Sequence, residues 1–204
     1  MRHVLDIDTL STDDINHILK RAKHYDILLQ DKGWQGDTLK EKTVLLLFFE
    51  NSTRTAISFE TAARKLGADV TLLNIQASST QKGESLMDTV RTMDTITQPD
   101  IIIIRHKEYG APNYIAKRIS APVINAGDSW RAHPTQALLD AYTIMQHKGS
   151  VKGLTITICG DIAHSRVARS NLILLGKMEN RLRLVGPPTP VSYTHLTLPT
   201  KRIV

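Results

Sequence analysis

The chain has 204 residues, 41% hydrophobic and 23% charged, a balance that suits a soluble globular protein of one large domain or one and a half smaller ones. Its longest apolar runs are strand-sized and its one cysteine has no partner, which excludes a membrane-spanning helix, an internal disulfide framework and a Cys-rich zinc site. The formal charge of +6 is scattered, aromatics make up only 5%, and there is no RRM, zinc-finger or basic-helix signature, so anionic small molecules are expected as partners rather than nucleic acid.

The first stretch, MRHVLDIDTLSTDD, has acids where a signal peptide needs an apolar core, so a cytoplasmic protein is expected. Residues 10–30 read as a helix: Ser11 or Thr12 caps it, Asp13 and Asp14 suit its first turn, and Ile15, Ile18, Leu19, Ala22 and Tyr25 keep helical spacing. A strand is predicted over Thr43–Phe49. A helix from about Thr53 to Leu66 puts Ala56, Phe59, Ala63 and Leu66 on one face, with Gly67 as its stop. A strand at Asp69–Ile75, a helix at Ser85–Ile96 and a doubly buried strand at Asp100–Ile104 follow. A short helix near Asn113–Ile119 leads to a strand at Pro122–Asn125, and Pro134 opens a helix that runs to about Gln146. Leu154–Cys159, a helix from about Ala163 to Leu175, and Arg181–Val185 complete one more β-α-β unit. Cys159 ends the apolar run ITIC and is expected in the core.

Strands alternating with helices predict an α/β fold, a parallel sheet flanked by helices. In such sheets ligands bind beyond the carboxyl ends of the strands. The segments at those ends read ENSTRT, QASSTQKGE, RH, AGDSWRAHPTQ and GDIAHSR. They carry Arg54, Lys82, Arg105, His133, Gln136 and Arg166 with several hydroxyls, a cationic and donor-rich edge suited to an anion. Within FFENSTRTAISFE, Ser52 could be only an N-cap. An arginine inside the cap points instead to an anion on the helix N-terminus. No Ser-His-acid or Cys-His arrangement, P-loop or metal spacing is present. Neither cofactor nor metal is expected. The remaining donors can hold a phosphorylated compound and polarise a carbonyl by positioning and electrostatics.

The segments FFENSTRTAISFE, KGESLMDTVRT, IIIIRH and NAGDSWRAHPTQALLD closely resemble the aspartate carbamoyltransferase family, over residues 1 to about 188. STRT with HPTQ at this separation marks the wider carbamoyltransferase superfamily. The resemblance implies a carbamoyl-phosphate-binding domain at 1–148, the start of an aspartate-binding domain at 149–190 holding its first β-α-β unit, and an unrelated tail at 191–204. It implies that Ser52, Thr53, Arg54 and Thr55 grip phosphate, and that Arg105 bridges phosphate and carbonyl oxygens. Thr55, Arg105 and His133 would polarise the carbamoyl carbonyl, and Gln136 would hold its amide. Ser78 and Lys82 would reach a neighbouring subunit's site, giving a homotrimer with shared sites; a regulatory chain is left open. Ser129 departs from the family, which usually has glycine there, so a differently shaped loop is expected.

The acceptor is the second question. In GDIAHSRVARSN, the residues His164, Arg166 and Arg169 lack the asparagine pair of ornithine enzymes, and arginine suits a dicarboxylate. L-Aspartate is therefore the expected acceptor, with Arg166 its carboxylate contact, and ornithine the alternative. The family pattern ends near Pro188–Pro190, and VSYTHLTLPTKRIV has no counterpart in it. A truncated sequence with a poorly soluble product is the expectation, and an inactive binding or assembly remnant is the other alternative.

Overall fold

A computed structural model describes residues 2–74 and 85–186, with the backbone of 201–202. The chain forms two compact units. The first comprises Met1–Leu5 and Tyr25–Ser129, the second Asp6–His24 and Trp130–Val204.

In the first unit, strands β1 (Thr43–Phe48), β2 (Asp69–Asn74), β3 (Ile101–His106) and β4 (Val123–Asp128) form one parallel sheet in the order β2-β1-β3-β4. Parallel strands need crossovers, supplied by helices α2 (Thr53–Lys65), α3 (Leu86–Thr97) and α4 (Ala111–Ala116). The period of two divides the strands between two cores. Val44, Leu46 and Phe48 face Ala63 of α2, while Leu45 and Leu47 face Val90 of α3 and Ile115 of α4. Each leucine so buried stabilises the fold by about 1.5–3 kcal/mol relative to exposure. Gly67 stops α2 as expected: its φ is +89° and a Cβ there would meet the Gly36 carbonyl oxygen at 2.9 Å.

Two strands run further than their sequences suggest. Strand β3 includes Arg105 and His106, whose own side chains are buried and find the partners described below. Strand β4 continues to Asp128 through a bulge. Ile104 pairs with Asn125 but His106 with Asp128, so β4 carries one extra residue there. Gly127, at φ +121°, permits the bulge, and its N–H donates to Asn125 Oδ1 at 2.8 Å. Ser129 then takes the left-handed conformation that glycine adopts most easily, φ +46°, with its N–H on the His106 carbonyl at 3.0 Å.

The second unit joins residues 6–24 to the C-terminal part of the chain. Ile7, Leu10 and the first turns of α1 (Thr12–Leu28) share a core with α5 (Pro134–Lys148), α6 (Arg166–Lys177) and β6 (Arg181–Val185). Ser11 caps α1, accepting from Asp14 N–H at 3.0 Å while the Asp14 carboxylate accepts from the Ser11 backbone. Lys177 Nζ donates to the carbonyls of Ile7, Asp8 and Leu10 at 3.0, 2.9 and 2.7 Å, tying the N-terminal segment to α6. Strand β5 (Thr155–Cys159) pairs in parallel with β6, which pairs with the short β7 (Lys201–Arg202). Cys159 is exposed, not in the core. The residues of β5 alternate, so Ile156 and Ile158 face inward while Thr155, Thr157 and Cys159 face out.

Candidate functional site

In the first unit, the segment 49–52 joins β1 to α2. Ser52 is the N-cap by position, with φ −160° and ψ 82°, but its side chain makes no capping hydrogen bond. The first intrahelical bond runs from Ala56 N to the Ser52 carbonyl at 3.0 Å. The N–H groups of Thr53, Arg54 and Thr55 precede it, where a helix has donors without intrahelical acceptors. No acidic residue lies in this first turn, so nothing there offsets the positive end of the helix dipole. Thr53 and Arg54 are exposed; Ser52 and Thr55 are half-buried.

Arg105 comes to the same end of the sheet through strand register. It pairs with Phe48, and its carbonyl accepts from Phe49 N–H at 2.9 Å. Its side chain is buried. Nη2 meets Glu50 Oε1 at 2.9 Å, and Nη1 donates to the Ala126 carbonyl at 3.2 Å, in the bulge of β4. The bulge thus supplies one acceptor and the β1 exit the other, and together they fix the guanidinium. Beside it, the buried His106 ring packs on Phe49 with centroids 4.9 Å apart, and Nδ1 accepts from Glu108 N–H at 2.9 Å. Burial holds this imidazole below its ordinary pKa.

In the second unit, His133 is the N-cap residue of α5 and is buried, with Pro134 at N1. Its backbone N–H donates to Ser170 Oγ of α6 at 2.9 Å. Gln136 lies in the first turn of α5, and its Nε2 donates to Asp140 Oδ1 at 2.9 Å. Arg166 is the first residue of α6, after Ser165, whose Oγ caps Ala168 N–H at 3.1 Å. His164 is exposed and meets Asp161 Oδ2 at 2.9 Å; that contact lowers the Asp161 pKa. Arg169 lies over the Trp130 ring at 5.9 Å. A cavity of about 500 Å³ at the end of β5 is lined by Cys159, Asp161, Ser165 and Asn171 among others.

The fold therefore brings Ser52, Thr53, Arg54, Thr55 and Arg105 to one end of the first sheet, and puts His133 and Gln136 on one helix start of the second unit. Ser78 and Lys82 lie outside the described residues. Nothing in ENSTRT singles out Glu50. Its pairing with Arg105 spans 55 positions, a separation that local pattern does not reveal. Among the described residues no group of His, Cys, Asp and Glu is arranged to hold a metal ion, and no helix is long and apolar enough to cross a membrane.

The chain is similar to known proteins in sequence and in fold. Residues 2–146 match the family described as aspartate/ornithine carbamoyltransferase, carbamoyl-P binding domain. The aspartate carbamoyltransferase catalytic subunit of Ruegeria pomeroyi is 54% identical over 190 residues, which cover 93% of this chain and 61% of that protein. The catalytic subunit of Roseobacter denitrificans is 52% identical over 188 residues, 92% of this chain and 60% of its own length. The chain thus spans about three fifths of the relatives it matches. Among solved structures, the catalytic subunit of M. jannaschii aspartate transcarbamoylase superposes with a TM-score of 0.86 at 36% identity, covering 95% of this chain and 63% of that one. Aspartate transcarbamoylase from Trypanosoma cruzi, in complex with carbamoyl phosphate and aspartate, gives 0.85 at 35% identity, with 91% and 58% covered.

Proposed function

The chain belongs to the aspartate/ornithine carbamoyltransferase family, and we propose that it acts in an aspartate carbamoyltransferase catalytic subunit, transferring the carbamoyl group of carbamoyl phosphate to L-aspartate. The observation that carries this reading is the start of α2. It is a helix N-terminus with no side-chain cap and no acid, entered through Ser-Thr-Arg-Thr, on the sheet edge that also holds Arg105. Such a terminus favours an anion. Aspartate as acceptor is supported by the names of the relatives and by Arg166 at the start of α6.

In this reading the α2 N–H groups, the hydroxyls of Ser52, Thr53 and Thr55, and Arg54 hold the phosphate. Arg105 contacts phosphate and carbonyl oxygens. Thr55, Arg105 and His133 polarise the carbonyl, and Gln136 accepts from the carbamoyl amide. The neutral amine of aspartate attacks the carbonyl carbon, a tetrahedral intermediate forms, and its negative oxygen is stabilised by donors already in place. The bond to phosphate oxygen then breaks, the amine gives up a proton, and phosphate leaves with its charge matched by arginine. His133 acts as a fixed donor, not as the base. In the same reading residues 1–148 form the carbamoyl-phosphate domain and 149–190 the start of the aspartate domain, a boundary that differs from that of the compact units, which put 6–24 and 130–148 in the second. The active unit is a homotrimer to which Ser78 and Lys82 contribute across a subunit boundary.

Titration of carbamoyl phosphate into the purified protein tests the reading. Arg54→Ala should weaken binding by about 10–100-fold, the loss of a hydrogen bond from a charged donor, without changing the melting temperature. Unchanged affinity would remove the phosphate assignment.

A further inference from the structure

Gln136 and Asp140 stand four residues apart on α5, so their side chains share one face of the helix. Gln136 Nε2 donates to Asp140 Oδ1 at 2.9 Å. From α6, Asn171 Nδ2 donates to the other oxygen, Oδ2, at 2.6 Å. One carboxylate therefore receives two amides. A carboxylate only accepts, whereas an amide is a donor at one end and an acceptor at the other. Both amides must turn their NH₂ groups to Asp140 and their carbonyl oxygens away. Asn171 keeps this orientation although its Oδ1 is buried with no hydrogen-bond partner among the described residues. Turning it round would set oxygen against oxygen.

We infer that Asp140 is a positioning residue: it fixes the Gln136 amide so that Oε1 is the end presented to a ligand. The inference rests on the proposed role of Gln136 and extends it to specificity. An outward Oε1 accepts from an NH₂ group and gains nothing from a methyl group in the same place. Carbamoyl phosphate and acetyl phosphate differ by that one replacement. The Gln136–Asp140 pair is then what selects a carbamoyl donor over an acyl phosphate. The phosphate contacts of the first unit treat the two alike.

Isothermal titration with carbamoyl phosphate and with acetyl phosphate gives a ratio of affinities that general damage to the fold does not move. In Asp140→Asn, the amide offers an oxygen at one position and an NH₂ at the other, so the Gln136 amide is no longer held to one orientation. The carbamoyl-to-acetyl ratio should fall about tenfold in Asp140→Asn and in Gln136→Ala alike. The double variant should fall no further, because both changes remove one function. A parent-like ratio in Asp140→Asn with a reduced one in Gln136→Ala overturns the inference and leaves the role of Gln136 standing, as do losses that add in the double variant. An unchanged ratio in Gln136→Ala overturns both. Should Asp140→Asn not fold, Asp140→Ser shortens the acceptor instead of altering it and is read by the same outcomes.

Discussion

Helices α2 and α3 of the first unit both begin one residue after a serine, and the two starts are built differently. Ser85 closes α3: its Oγ accepts from Asp88 N–H at 3.2 Å and donates to the Asp88 carboxylate at 2.6 Å. The serine cap and the acid three residues on satisfy the helix end internally. At α2 the serine is in the same place, but position three is Thr55 and the cap bond is absent. One start uses its donors for stability. The other makes no side-chain cap bond and has no acid in its first turn. On the proposed reading that difference marks α2 as the helix that holds an anion and α3 as part of the framework, although the cap residue is serine in both.

The comparison can be broken most forcefully by exchanging position three. Thr55→Asp gives α2 the Ser-x-x-Asp pattern of α3. A carboxylate placed where phosphate is proposed to bind should weaken carbamoyl phosphate binding on the order of 10²-fold. The same change should raise the stability of the protein by about 0.5–1 kcal/mol through capping and the helix dipole. A denaturant titration beside the binding titration reads both, and a variant that gains stability without losing affinity would mean that α2 is an ordinary helix.

Glu50→Ala tests the second component of the proposed anion site. It removes the Glu50 carboxylate from the buried Arg105 guanidinium and should cost about 2–3 kcal/mol, since breaking a buried ion pair from one side is expensive. Inorganic phosphate should restore part of that stability in the variant, and more than it adds to the parent. No difference in the phosphate response would detach Arg105 from the anion site.

Smaller effects sharpen the contrast. Ser85→Ala should lower stability by about 1 kcal/mol and leave phosphate affinity alone. Ser52→Ala should do the reverse, with a stability change of only a few tenths of a kcal/mol because no cap bond is lost. Equal stability losses would show that the two serines do the same job.

Both starts should be compared above the pH at which the sheet beneath α2 weakens. Burial lowers the His106 pKa, so the unfolded chain binds this proton more readily than the folded one. The corresponding stability is fully present above the unfolded value of about 6.5 and is lost as pH falls from there toward the folded value. His106→Asn keeps an acceptor for Glu108 N–H without titrating and should flatten the melting temperature between pH 5 and 7; a parent-like slope would place the titration elsewhere.

The order of strands and helices was legible because periodicity, Pro134 and Gly67 punctuate the chain locally. The residues of the α2 start were legible too, since an arginine inside a cap is chemically odd wherever it lies. What escaped notice depends on distant partners or on phase. Arg105 was read as following a strand, but Glu50 and Ala126 hold it within β3. Cys159 was read as core because ITIC is apolar, although alternate residues of a strand face opposite ways and the cysteine falls on the outer one. Asp140 carries no local signal, since its second partner, Asn171, comes from another helix.

The lysine clamp bears on how the protein emerges from the ribosome. Lys177 is made 170 residues after Ile7, whose carbonyl it captures. At bacterial or eukaryotic synthesis speeds that interval is roughly 10–30 s. Throughout it, Ile7, Leu10, Ile15 and Leu19 have no α6 to bury against. The earliest-made part of the chain is thus among the last to be enclosed, and for that time it is a natural client for chaperones. A gene fragment cut after residue 148 would prolong the wait indefinitely.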